Sequence, residues 1–143
     1  MTKVRVLISD PMSSQAVSVF EQRGIEVVQT GKMTEDELLE IIPEFDGLAI
    51  RSATKVTERV LNAATRLKVV GRAGIGVDNV DVPACTAKGI VVMNTPMGNA
   101  ITTAEHALAM MFSLARHIPQ ANQTTHTGAW AKSKYMGVEL TSK

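Results

Sequence analysis

The chain has 143 residues and a formal net charge of +1, the length of one ordinary domain. It holds no long run of like charge, which leaves a nucleic-acid or membrane-surface role without electrostatic support, and its single cysteine, Cys85, excludes an internal disulfide and a cysteine-cluster metal site. No apolar run approaches the ~20 residues of a membrane span, and Met1 leads directly into a strand pattern rather than a signal peptide, so a cytoplasmic, membrane-free location is expected.

Val4–Ile8 reads as the first strand, ended by Ser9-Asp10-Pro11. Ser13 or Ser14 can cap a helix through Arg23, with Ala16, Val17, Val19 and Phe20 on its apolar side and Gly24 as its stop. Ile25–Val28 is a second strand. Thr34-Glu-Asp-Glu37 has the form of a capping box before Leu38, Leu39, Ile41 and Ile42, and Pro43 marks that helix's end. Gly47–Ile50 is a third strand, Thr57 caps a helix carrying Val60, Leu61 and Ala64, and Val69-Val70 is a fourth strand. Asp81 caps a helix from about Val82 to Lys88, which Gly89 stops, and Ile90–Met93 is a fifth strand. Short apolar runs alternating with helical patterns imply βαβ units and a parallel sheet covered on both faces. The expected fold is α/β, a flavodoxin-like doubly wound sheet.

The pattern after the fifth strand changes. Asn94–Asn99 is a loop by composition, and a long helix is expected from about Ile101 to His117. Between Ala107 and Ala115 it carries no charge, and Leu108, Met110, Met111, Phe112 and Leu114 surround its axis. A helix apolar all round is buried on more than one side, so a second domain or a second subunit is expected to cover it. Pro119 ends or kinks this helix. Gln120 to Gly128 is polar, and 128–140 reads as an extended arm with Trp130 and Tyr135 as anchors.

The chain is organised around 68–81, where Val69-Val70 breaks into Gly71, Gly74 and Gly76, with Arg72 inside the loop and Asp78, Asn79 and Asp81 after it. A strand, a glycine loop and a helix start present unpaired N–H donors to an anion. Three readings stand: a small anionic metabolite, a dinucleotide, or a glycine turn with no ligand. Against the dinucleotide, Gly74-Ile-Gly76-Val-Asp-Asn79 places asparagine where the third glycine of G-x-G-x-x-G belongs, and Pro83 does not suit a long helix starting at Gly76. Ligands of such sheets gather at the carboxyl ends of the strands, which puts Asp10, Arg51, Ser52, Arg72, Gly74, Gly76, Asn94 and Thr95 on one rim. Arginine binds carboxylate and phosphate bidentately, so Arg51 and Arg72 favour an anionic ligand; the alternative is that each pairs with a nearby Asp or Glu.

No residue makes a convincing general acid or base. His106, His117 and His126 have no metal-site spacing, Ser13, Ser14 and Ser52 lack the G-x-S-x-G context of a hydrolase, and Cys85 reads as a small core residue. Asp78 and Asp81 form a possible carboxylate pair, although a cap explains Asp81 better.

Several segments together carry a family resemblance: Arg51–Val56, Val70–Asp81, Val92–Pro96, Asn99, Thr102–Glu105, Gly128–Trp130 and Met136–Leu140. Through them the whole chain resembles the N-terminal part of the NAD-dependent D-2-hydroxyacid dehydrogenases and, within them, the phosphoglycerate dehydrogenases. The resemblance implies an incomplete substrate-binding domain over residues 1–99, then a crossover helix and arm over 100–143 leading to an NAD-binding domain absent from this chain. It implies that Arg51 contacts a phosphorylated 2-hydroxy acid, that the Gly74-Ile75-Gly76 amides hold its carboxylate, and that Asn99 lines the cleft. Ser52 and Arg72 join the substrate-binding set, and Ile75 and Thr102 match positions near the nicotinamide of NAD. It also implies a homo-oligomer formed through the 101–117 helix. The departure comes at Glu139-Leu-Thr-Ser-Lys143, with Ser142 where glycine is common. The family's catalytic Arg, Glu and His lie beyond that point, so the chain alone is expected to be inactive. Alternatives are a glyoxylate/hydroxypyruvate reductase or a non-catalytic anion-binding and dimerisation module.

Overall fold

The structure, a computed structural model, describes residues 3–142. It divides into two compact units, Met1–Gly98 and Asn99–Lys143. Lys143, where the Glu139-to-Lys143 departure ends, lies outside the described residues.

In the first unit five strands, β1 (Arg5–Ile8), β2 (Glu26–Gln29), β3 (Gly47–Ile50), β4 (Val69–Arg72) and β5 (Val91–Asn94), form one parallel sheet in the order β2-β1-β3-β4-β5. This is the flavodoxin-like, doubly wound order. The helices between them are α1 (Ser14–Gln22), α2 (Glu35–Ile41), α3 (Glu58–Ala63) and α4 (Val82–Ala87). Alternate strand residues face opposite sides. On one side Leu7, Leu48, Ile50 and Val70 pack with Leu38, Val60, Leu61 and Cys85 into the main core. On the other, Val6, Ile8 and Ala49 meet only Met12, Val17 and Phe20 of the α1 region, with Ile25 and Val27. Val91 and Met93 stay exposed, so the α1 side of β4 and β5 is bare. An apolar hollow of about 420 Å³ lies there, reaching Phe20, Gly71 and Met93.

Capping chemistry fixes three of the four helix starts in the first unit. Thr34 and Glu37 form the reciprocal capping box, Thr57 Oγ1 accepts from Val60 N–H, and Asp81 Oδ1 accepts from Ala84 N–H at 3.0 Å. Ser13 occupies its N-cap with no side-chain bond, and Val19, expected on the apolar side of α1, is 45% exposed. Pro43 stands in a short 3-10 turn, Ile42–Glu44, that continues from α2.

Three strands begin one residue later than the apolar pattern suggests, β1 at Arg5 rather than Val4, and for β2 and β5 the physical reason is the same. Gly24 and Gly89 have positive φ (72° and 69°), and each is the turning residue of a Schellman motif. Gly24 N–H donates to the Glu21 carbonyl and Ile25 N–H to Phe20; Gly89 donates to Thr86 and Ile90 to Cys85. Ile25 and Ile90 therefore belong to the turn, each facing the helix residue it bonds. At the fourth strand the difference runs the other way. β4 continues through Gly71 and Arg72, which pair with Ala49 and Ile50, so Gly71 is a sheet residue rather than part of the loop.

In the second unit α5 spans Ala100–Ala115 and α6 spans Ile118–His126. The break between them is His117, in the left-handed conformation at φ 53°, and Pro119 stands in the first turn of α6. The helix expected to reach about His117 thus ends at Ala115, and a second helix follows the break. The 120–126 stretch is helical without an apolar stripe, which is why periodicity does not reveal it. Gly128, at φ 84°, closes α6 with a third Schellman pair, donating to Thr125 while Ala129 donates to Thr124. The extended arm is also corrected: Lys132–Tyr135 forms a 3-10 turn, Tyr135 bonds Thr124 of α6, and Trp130 is 82% exposed. Farther on, Val138 N–H donates to the Ala115 carbonyl, and a side chain at Gly137 would collide with that same carbonyl oxygen. No helix among the described residues is long and apolar enough to cross a membrane.

Candidate functional site

Parallel pairing places the ends of β1, β3, β4 and β5 side by side, and four connections leave from that rim. The connection after β3 begins Arg51-Ser52-Ala53-Thr54. Arg51 is exposed; among the described residues it makes no ion pair, and its Nη1 reaches only the Pro11 carbonyl at 3.5 Å. Ser52 is exposed and borders a polar depression of about 550 Å³ shared with Lys55, Asp78 and Asn79.

The connection after β4 is the glycine loop. Gly74 and Gly76 have ordinary negative-side backbones; their lack of a side chain serves clearance. A Cβ on Gly74 would lie 2.5 Å from Arg72 Nη1, so the guanidinium folds back over the loop only because that position is bare. Arg72 is largely buried, with Nη2 at 3.8 Å from exposed Asp78, a long contact, and its Nε–H has no partner. Gly74 N–H is taken by the Arg72 carbonyl, whereas no acceptor among the described residues takes the N–H of Ile75 or Gly76. Two clasps from the end of β5 hold the loop: Asn94 Nδ2 donates to the Ile75 carbonyl at 2.7 Å and Thr95 N–H donates to the Gly74 carbonyl at 3.0 Å. Free amides, a buried guanidinium N–H without an acceptor and a second free cation on the neighbouring connection form an anion-receptive rim.

Three buried side-chain polar atoms among the described residues lack partners: Asp10 Oδ1, Arg72 Nε and Asn79 Oδ1. All three belong to residues of this rim or of the loops that form it. Buried polar groups are almost always satisfied, so their concentration here marks the part of the molecule not arranged for its own stability. In the sequence Asp10 is legible only as a rim residue and Asn79 only as a missing third glycine; neither signals a contact to the Arg51 segment, because that pairing joins residues far apart in the chain.

Asn99 and Thr102 lie in the second unit, Asn99 at the N-cap of α5 and Thr102 in its first turn. Asn99 provides no side-chain cap; its carbonyl accepts from Thr103 N–H. The other titratable candidates do not assemble into chemistry. Among the described residues no three His, Cys, Asp or Glu side chains come together as metal ligands. Cys85 is buried, and burial first, then the charge of Asp81, pushes its thiol up from the ordinary value. A dinucleotide does not fit the glycine loop: Asn79 fills the third-glycine position with its amide engaged by backbone carbonyls, and the six-residue α4 does not start until Val82.

This fold places the molecule among α/β proteins built on a doubly wound parallel sheet. The sequence model of the D-isomer specific 2-hydroxyacid dehydrogenase catalytic domain matches residues 6–138, and the chain belongs to that family. A D-3-phosphoglycerate dehydrogenase of Synechocystis is 48% identical over 142 residues, which is 99% of this chain and 26% of that protein. The chain thus spans about a quarter of the length of the curated relatives it matches. An NAD+-bound 3-phosphoglycerate dehydrogenase structure from Entamoeba histolytica is 34% identical, with a TM-score of 0.71, over 80% of this chain and 40% of that one. A Thermus thermophilus protein structure is 28% identical, with a TM-score of 0.82, over 96% and 46% respectively.

Proposed function

We propose that this chain is the substrate-binding N-terminal portion of an NAD-dependent D-3-phosphoglycerate dehydrogenase. Such an enzyme oxidises 3-phosphoglycerate to 3-phosphohydroxypyruvate, the entry to L-serine synthesis in the cytoplasm. The observation that carries the reading is the set of unsatisfied donors on the rim, Arg72 Nε–H with the Ile75 and Gly76 amides, beside a free Arg51. A substrate with an anion at each end needs two such groups. In this assignment the Ile75 and Gly76 N–H groups take the carboxylate, Arg51 takes the phosphate, and Arg72 supports the carboxylate end. Ser52 borders the same site. Asn99, with Ile75 and Thr102 toward the nicotinamide, contributes from the family likeness.

By the family likeness, hydride and proton transfer belong to a nucleotide-binding part and to Arg, Glu and His residues that are not among these 143. The 143-residue chain binds without turning over. The α5 segment, apolar on all sides, is the proposed homo-oligomer contact.

The test is titration of the labelled chain with 3-phosphoglycerate and, separately, with D-glycerate. The expected result is movement of the Ile75 and Gly76 amide resonances, with 3-phosphoglycerate binding weakened at least about tenfold by Arg51→Ala, roughly 1.4 kcal/mol. Equal affinity for the two ligands would instead favour a reductase of unphosphorylated hydroxy acids. No response at these amides would overturn the reading.

A further inference from the structure

Arg51 and Thr54 bracket the segment that presents the free arginine, and all four of their backbone polar groups are captured by just two side chains. From the end of β1, Asp10, 1% exposed, accepts Arg51 N–H at 2.6 Å and Thr54 N–H at 3.2 Å through one oxygen, Oδ2. From the glycine loop, Asn79 Nδ2 donates to the Arg51 carbonyl and the Thr54 carbonyl, both at 2.7 Å. The donors go to one side and the acceptors to the other. We propose that Asp10 and Asn79 form a two-sided clamp that fixes the Arg51–Thr54 segment and ties it to the glycine loop, which makes them positioning residues of the anion site.

The chemistry of the pair suits that task. A carboxylate is acceptor-only and a primary amide offers two donors, so neither residue can replace the other. Asn79 belongs to the loop that carries the free Ile75 and Gly76 amides, and its own backbone carbonyl accepts Val56 N–H at 2.8 Å. The loop is therefore joined to the Arg51 connection at the clamp and again just after it, at Val56. Ser9, also buried, adds a hydroxyl contact with Thr54 at 3.0 Å. The consequence is mechanical: the connection carrying the cation and the loop carrying the amides are held to one another. The clamp rests on the substrate reading only for what it positions; its existence does not depend on it.

The experiment is amide hydrogen exchange combined with 3-phosphoglycerate titration of the 143-residue chain and its variants. Asn79→Asp keeps the shape but removes both donors and sets a carboxylate against two carbonyls. It is expected to speed exchange at Arg51 and Thr54 at least tenfold, to leave Leu48 and Val70 of the sheet unchanged, and to weaken 3-phosphoglycerate at least tenfold with Arg51 intact. Asp10→Ala should do the same, whereas Asp10→Asn, which retains an acceptor oxygen, should restore most of both. Arg51→Ala is the control: binding falls while exchange at positions 51 and 54 stays slow. Unchanged exchange at those amides in Asn79→Asp and Asp10→Ala overturns the clamp, as does fast exchange with undiminished binding. If either variant loses the sheet amides as well, the Asp10→Asn comparison decides: failure to restore slow exchange there also overturns it. A wild-type chain that binds no 3-phosphoglycerate sinks the substrate reading instead, and the exchange data alone then judge the clamp.

Discussion

The two units contrast in where their apolar side chains go. The first closes a core on itself: Leu7, Ile8, Leu48, Ile50, Val60 and Val70 are all 2% exposed or less. The second is the more apolar along α5, yet neither α5 nor α6 buries a single residue, and Leu114 is 80% exposed. Buried apolar area is what stabilises a fold, at roughly 25 cal/mol per Å². The first unit therefore carries the means of its own stability, and the second has a hydrophobic surface without an interior. Hydrophobicity along a sequence says that a segment will be covered; it does not say by what.

Three measurements would break or sharpen that contrast. Leu7→Ala opens a cavity in the closed core and should cost about 2–5 kcal/mol in urea unfolding; a loss below about 1 kcal/mol would mean the first unit is not tightly packed. Next comes Asp46, which accepts from Arg5 N–H at 3.0 Å and from Arg66 at 2.9 Å. The Arg5 amide above all, with the Arg66 side chain, holds its carboxyl below the ordinary range. A depressed carboxyl contributes stability that is present above the unfolded value near 4 and lost as pH falls through the folded one. Asp46→Asn should accordingly lower the neutral-pH urea midpoint and flatten its decline below about pH 4; an unaltered acid limb would remove Asp46 from the account. The smallest effect is expected at Leu114. Leu114→Ala should leave the unfolding free energy in urea within about 0.5 kcal/mol but reduce concentration-dependent association in sedimentation velocity. A large stability loss in the dilute chain would show that α5 is already packed within one molecule.

The same contrast explains how much the sequence discloses. In the first unit local chemistry and burial agree. The Thr34 capping box, the Asp81 cap and the run Gly47–Ile50 each read directly, because each local preference coincides with the core that surrounds it. The strand starts at Ile25 and Ile90 shift because an apolar residue after a helix-ending glycine serves the turn as readily as the strand. In the second unit α6 is mostly polar and carries no apolar stripe to announce it, and only Pro119 at its start and Gly128 at its end signal the helix. At the rim, the residue types Arg51, Arg72 and the glycines are legible. Their arrangement is not: that Gly74 makes room for a guanidinium, or that Asn79 reaches back 28 positions to Arg51, is a property of the folded sheet.

The bare side of β4 and β5 bears on how the chain behaves as a solute. β5 is an edge strand, and it presents Val91 at 57% and Met93 at 58% exposure beside an unpaired row of backbone groups. Natural edges are usually guarded by lysine, proline or a bulge, and Val91-Val-Met-Asn94 has none of the guarding side chains. Sulfate, which is excluded from protein surfaces and strengthens apolar burial, is therefore expected to promote association of this chain through the β5 edge.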